Sequence, residues 1–157
     1  MCEKRIKTLN HLLAEIESHI PQRNQENILV SKATVGWQLD HTLKVFNAVS
    51  LALKNSNPKD YKRQFNYWRS LLFPLGYIPR GKVKAPKIVL PPEVITKEDL
   101  KAQLQTAKNF LDVLKTLPNN AYFRHFIFGM LSKKQTFRFL EMHTKHHLKI
   151  IRDILKK

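Results

Sequence analysis

Between Leu100 and Leu114 the apolar residues Leu100, Leu104, Ala107, Leu111 and Leu114 advance by steps of four, three, four and three. At about 100° of rotation per residue, that rhythm gathers them into one narrow stripe along an α-helix. A helix marked in this way gains most of its stability from covering the stripe with other helices, so the spacing commits the chain to a bundle. "TKED" from Thr96 is a capping-box pattern that opens this helix, and Pro118 lies just beyond its end.

The same signature recurs. Residues 4–20 place Ile6, Leu9, Leu12, Leu13, Ile16 and Ile20 close to one face, and Pro21 stops the pattern. A second helix runs from Ser31 or Thr34 to Lys54, with Val35, Leu39, Thr42, Phe46, Val49 and Leu53 in line, and ends in the turn-forming "NSNP". The last helix opens at Ser132 and carries the seam Phe137, Leu140, Thr144, His147, Ile151 and Ile154. After Asn57, with Pro58 at the first position, a short helix places Tyr61, Phe65, Trp68 and Leu72 on one face. Pro74, Pro79, Pro86, Pro91 and Pro92 then make residues 74–95 an irregular, mostly extended crossover, and "PNNAYFRHFIFGML" reads as a loop. The expected class is all-α: a four-helix bundle with a long proline-rich crossover and a short extra helix between helices two and three. No repeat or boundary divides the 157 residues, which fit one domain, 1–157, able to bury a core without disulfides or a structural metal.

Charge and cysteine usage narrow the setting. The chain has 28 lysines and arginines against 12 acids, a formal charge of +16, which favours acidic partners, nucleic acid or anionic membrane among them, and does not bear on fold. Cys2 stands alone, so an intramolecular disulfide is excluded and a reducing compartment is expected. The opening "MCEKRIKTLNHLLAEIESHI" is charged and amphipathic, unlike a signal peptide, and no apolar run reaches the length of a membrane span. The expectation is a cytoplasmic protein without a membrane partner.

"HTKHH" at 143–147 holds three of the seven histidines. On an ideal helix His143 and His147 differ by about 40° and lie one turn apart, so they can share an ion. His147 falls on the seam itself, where a bundle built for stability alone carries leucine or isoleucine. A buried imidazole needs partners, since desolvating a polar group unpaired costs about 1 to 3 kcal/mol. His41, in "GWQLDHTLKVF", lies at the edge of the second helix's stripe, on the side of Gln38, Val45 and Ala48, and is the natural third ligand. Three neutral imidazoles suit a borderline divalent ion such as zinc, nickel or iron(II) and leave coordination positions for water or substrate. His146 also pairs with His143 at i to i+3, but it points about 60° from His143 and about 100° from His147, which assigns it to the rim or behind the ligands. The plainer alternative is a set of core-edge histidines bonded to backbone or carboxylates. His11 and His19 have no partner at ligand spacing and read as surface or capping residues.

The combination of "VGWQLDHTLKVF" in a second helix, "HFIFGML" before a fourth and "FLEMHTKHHLKIIRDI" within it resembles the DinB/YfiT-like superfamily of four-helix metalloproteins, closest to a bacterial branch of unassigned function. The resemblance covers nearly the whole chain. It implies that His41 matches the ligand on helix two, and that His143 and His147 match the two on helix four. His125 matches a histidine of the loop that enters the last helix in that branch. It further implies a nickel, zinc or iron ion, thiol-transferase or maleylpyruvate-isomerase chemistry among characterised members, and a homodimer.

Three classes of function follow. The first is a metal-dependent transferase or hydrolase, with His41, His143 and His147 as ligands and His146 and His125 for proton transfer or support. Asp40 and Glu141 would orient them, and Arg138 and Lys145 form a basic rim for a small anionic or thiol substrate. The second is a nucleic-acid-binding module: Lys59 to Lys87 holds eight basic residues and one acid, interleaved with Tyr61, Phe65, Tyr67, Trp68, Phe73 and Tyr77. Because Tyr61, Phe65 and Trp68 share a helical face, the expectation is that they pack on the bundle and leave Lys62, Arg63 and Arg69 solvated. The third is a bundle without activity that serves as an interaction module.

Overall fold

The apolar stripes of the four long helices meet in one bundle. In the computed structural model, which describes residues 2–80 and 89–156, these helices are α1 (Cys2–His19), α2 (Val35–Lys54), α4 (Lys97–Thr116) and α5 (Lys133–Leu155). A fifth, α3 (Tyr67–Leu75), an antiparallel hairpin of β1 (Tyr122–His125) and β2 (Gly129–Ser132), and two 3-10 turns at Ile20–Gln22 and Pro58–Asp60 complete the elements among the described residues. Around the bundle the order is α1, α4, α2, α5, each packing on the next and α5 closing on α1. Every seam residue named from the sequence in these four helices is buried. The mostly helical architecture is consistent with a DinB-like fold. Among the described residues no helix is long and apolar enough to cross a membrane.

Local chemistry sets the helix ends. Thr34 caps α2 by accepting from the Trp37 N–H, and Thr96 caps α4 by accepting from the Asp99 N–H. Gly36 lets the turn after α1 press against the start of α2: its N–H donates to the Arg23 carbonyl at 2.7 Å, and a Cβ there would stand 2.8 Å from that oxygen. This contact fixes where the first turns of α2, and so the side chains from Trp37 to His41, face the core. At the far end, the buried Lys133 ammonium donates to the Lys115 and Leu117 carbonyls at 2.9 and 2.5 Å, closing the C-terminus of α4.

Two expectations need correction. The short helix does not run from Pro58: Asn57 caps only a 3-10 turn over Pro58–Asp60, and α3 begins at Tyr67, capped by Asn66. It continues through Pro74 and ends at Gly76, whose φ of +64° is the left-handed conformation glycine adopts readily. The crossover therefore starts later than Pro74, and its residues 81–88, including Pro86, Lys82, Lys84 and Lys87, lie outside the described residues. The face of α3 is also turned. Phe65, Tyr67 and Trp68 are 83%, 63% and 53% exposed, whereas Arg69 is buried. The cause is the neighbouring hairpin: the Arg69 guanidinium donates to the Phe128 and Met130 carbonyls at 3.1 and 2.8 Å and to that of Gln64. Those bonds draw the cation inward and leave the Phe65, Tyr67 and Trp68 rings outside, while Phe73 on the other side of α3 packs against the core.

The second correction is the hairpin itself, where the sequence suggested a loop. His125 pairs with Gly129 across the turn formed by Phe126, Ile127 and Phe128, and Gly129 has φ +67°. The ring of His125 holds this turn, its Nδ1 accepting from the Ile127 and Phe128 N–H groups at 3.0 and 3.2 Å.

Candidate metal centre

Packing of α2 on α5 brings His41 against His143 and His147. The ring centroids are 5.3 Å apart for His41 and His143, 4.9 Å for His41 and His147, and 4.5 Å for His143 and His147. One nitrogen from each ring lies within 4.8 Å of the other two, an arrangement able to hold a metal ion. The Nε2 atoms of His143 and His147 are 3.3 Å apart, close to the roughly 3.4 Å expected of two nitrogens on a tetrahedral ion at zinc–imidazole bond lengths. His41 and His147 are buried and His143 half-buried.

The donor set fits a cation. His147 Nδ1 lies 2.7 Å from Gln38 Oε1, and His41 Nδ1 lies 2.9 Å from the Val89 carbonyl. Both partners are acceptors, so both Nδ1 atoms carry the proton and both Nε2 atoms keep a lone pair. Burial, and then the proximity of the other histidines, holds His143 and His147 well below the usual imidazole range, and burial lowers His41. Each of these shifts favours the neutral form that a metal ligand requires. Trp37 stacks on His41 at 5.1 Å, and Phe139 tilts against His143 at 5.7 Å, which limits how far either ring can turn.

The carboxylates expected to orient the histidines do otherwise. Asp40 faces α4, accepting from Gln103 at 2.7 Å and pairing with Lys44 at 2.8 Å. Glu141 sits among Arg5, Lys145 and Arg138 at 2.6, 2.6 and 3.3 Å. The orienting groups are instead Gln38, legible as a buried polar residue three before His41, and the Val89 carbonyl, a backbone atom that leaves no mark in side-chain pattern. Arg138 is turned away as well, donating to the Phe73 carbonyl from Nε and Nη2 at 3.2 and 3.0 Å.

His146 stands edge-on to His147, with centroids 5.0 Å apart. Its pKa is lowered by burial and by the charge of Arg80. His125 is stacked between Phe126 and Phe128, both at 4.6 Å, and meets Phe139 at 4.8 Å, so it reaches the cluster through that ring. Burial pushes its pKa down to about 4.

Residues 78–154 match the DUF1569 family, described as a protein of unknown function. The matched stretch is just under half of the chain and carries His125, His143, His146 and His147, while His41 lies before it. Domains of that family are generally DinB/YfiT-like. No curated protein and no solved structure matches the chain.

The lowered imidazoles make the metal-free protein acid-sensitive. Below about 6.5 the unfolded chain takes up protons that the folded histidines refuse, so unfolding gains up to about 1.4 kcal/mol per group for each pH unit. With chelator present, the melting temperature is expected to fall from pH 6.5 downward and to keep falling toward pH 4, where His125 finally titrates. Flat stability across that range would mean that the rings are not desolvated.

Proposed function

We propose that the protein is a divalent-metal-dependent enzyme in which His41, His143 and His147 are the ligands, with transferase or hydrolase chemistry on a small anionic or thiol substrate. The observation that carries this reading is the convergence of three imidazole nitrogens from two helices, all within 4.8 Å of one another, with the His41 and His147 rings held in the ligating tautomer. Structural zinc sites are usually closed by four protein ligands. Three leave a position for a reacting group, which argues for chemistry. A bound ion would supply Lewis acidity, lowering the pKa of a water or thiol toward neutrality.

The chain's own residues divide the remaining work. Gln38 and Val89 hold the ligating tautomers of His147 and His41, while Trp37 and Phe139 restrict rotation of the His41 and His143 rings. Of the two candidates for proton transfer, His146 is the better placed, because its ring adjoins His147 and lines a cleft together with Ile78, Arg80 and Lys149. His125 has its Nδ1 lone pair committed to two backbone N–H groups, so its part is to fix the hairpin against Phe139. Nickel, zinc and iron(II) all accept imidazole, and the ion in the cell depends on supply as well as affinity. Protein purified without a histidine tag is expected to carry close to one ion per chain by elemental analysis. Cobalt substitution should give the visible absorption of a low-coordinate site, and neither signal would appear in a purely structural histidine cluster.

The exposed aromatics support a second reading. Phe65, Tyr67 and Trp68 are available as stacking surfaces beside exposed Lys62 and Arg63, the composition of a single-strand nucleic-acid groove. Oligonucleotide binding that falls steeply with salt and is lost in Trp68→Ala, yet persists in His147→Ala, would establish it. A salt-insensitive dimer broken by Trp68→Ala would show a second copy on that face instead.

A further inference from the structure

Next to the metal centre, Met142, Lys145, His146 and Lys149 of α5 look across a cleft of about 170 Å³ toward Tyr77, Ile78 and Arg80. We propose that this cleft binds the anionic group, a carboxylate or a phosphate, of a small organic substrate whose reacting end lies at the three histidines. The second half of that statement rests on the metal-enzyme reading, and the first half does not.

The charge around the cleft is one-sided. Arg80, Lys145 and Lys149 line it, and no acidic side chain does so among the described residues. The carboxylates nearby are oversubscribed: Glu141 pairs with Arg5, Arg138 and Lys145, and Asp153 pairs with Arg80 and Lys156. Lys149 has no ion-pair partner among the described residues. A concave surface with surplus positive charge and apolar walls concentrates anions, because field lines focus where the dielectric is low. Met142 and Ile78 supply such walls, and Tyr77 adds a ring at the side.

The walls are also fixed in place. Arg138 ties the end of α3 to α5 through the Phe73 carbonyl, and it packs so close to Gly76 that a Cβ there would stand 2.5 Å from its Nη2. Arg80 is tied to α5 by its 2.7 Å bond to Asp153. The volume is small beside the ~300–1,000 Å³ of sites for drug-sized ligands, so the cleft suits one head group with a few attached atoms. His146 forms part of its wall and meets His147 edge-on, which sets an anchored anion one imidazole away from the ligands. Anchoring a substrate at one end while the other reacts is how remote binding lowers the entropic part of a barrier.

The test is calorimetric titration of the metal-loaded full-length protein with inorganic phosphate and, separately, with succinate. Saturable binding of at least one is expected, weakened about tenfold or more by Lys149→Glu and by Arg80→Gln. Lys101→Glu makes the same charge change on exposed α4, diagonally across the bundle, and is expected to matter less than about twofold at physiological salt. Which anion binds tells a phosphate subsite from a carboxylate one. Metal content of Lys149→Glu should be unchanged, and His147→Ala should still bind the anion, so absence of metal would defeat the enzyme reading and leave the subsite standing. The subsite is overturned if neither anion saturates, if Lys101→Glu weakens binding as much as Lys149→Glu, or if His147→Ala abolishes it, which would put the anion on the metal.

Discussion

His147→Ala is expected to lower metal affinity by more than about 100-fold, the upper end of what losing even a supporting partner costs. The substitution removes one lone pair and also strands its neighbours. Gln38 Oε1 loses the N–H it accepts from at 2.7 Å, and His143 loses the ring 3.3 Å from its Nε2. Gln38→Leu probes the same centre from outside the coordination sphere. It keeps the volume and all three ligands but releases the His147 tautomer, and a loss of about 10- to 100-fold is expected. Competition against a chelator of known affinity reads both, with circular dichroism confirming that each variant is folded. Stoichiometric metal retained by His147→Ala would remove the basis of the enzyme reading. Gln38→Leu binding as tightly as the parent would show that tautomer control is unimportant here.

The largest effect on stability is expected from Arg69→Met. Methionine approximates the volume and supplies an apolar chain, so the change isolates the guanidinium. Its removal leaves the Phe128, Met130 and Gln64 carbonyls without their charged donor, at a cost of about 3 kcal/mol in all. For a chain of this size that corresponds to a melting temperature lower by about 6 to 12 °C. Lys62→Met, on the exposed side of the same region, serves as the comparison and should stay within about 0.5 kcal/mol of the parent. The hairpin lies against α3 through these bonds and the Asn66 to Ile127 bond, so its amides should exchange faster in Arg69→Met. If thermal denaturation moves by only a degree or two, the buried cation is not what holds the hairpin.

The bundle was legible because its information is periodic. Leu100 to Leu114 and Phe137 to Ile154 repeat at the helical spacing, and each repeat adds an independent vote for the same face. His143 and His147 could be paired for the same reason, and His41 could be placed beside them because it borders a stripe whose direction was known. What escaped was non-periodic. The Arg69 side chain turns inward because of three carbonyls from residues distant in sequence or set by local backbone, and no residue-type rule foresees a cation on the buried side of an otherwise aromatic helix. The hairpin was hidden because its strands are four residues each and its turn is secured by the His125 ring, without an Asn-Gly pair to announce it. The acceptors that orient the centre show the same contrast: Gln38 is a side chain on a readable face, and Val89 contributes only its backbone.

Gln38 and His147 face each other across 109 positions of chain, with Val89 contributed from between them. No fragment that stops short of the last helix can assemble the cluster. During synthesis, then, the nascent protein has no complete chelating set until residue 147 has left the ribosome, and any ion captured earlier by one arm would be held by a single ring. A cation held by all three rings would therefore be bound only by a molecule whose bundle is already closing, and it would fasten the early part of the polypeptide to the late part like a clasp.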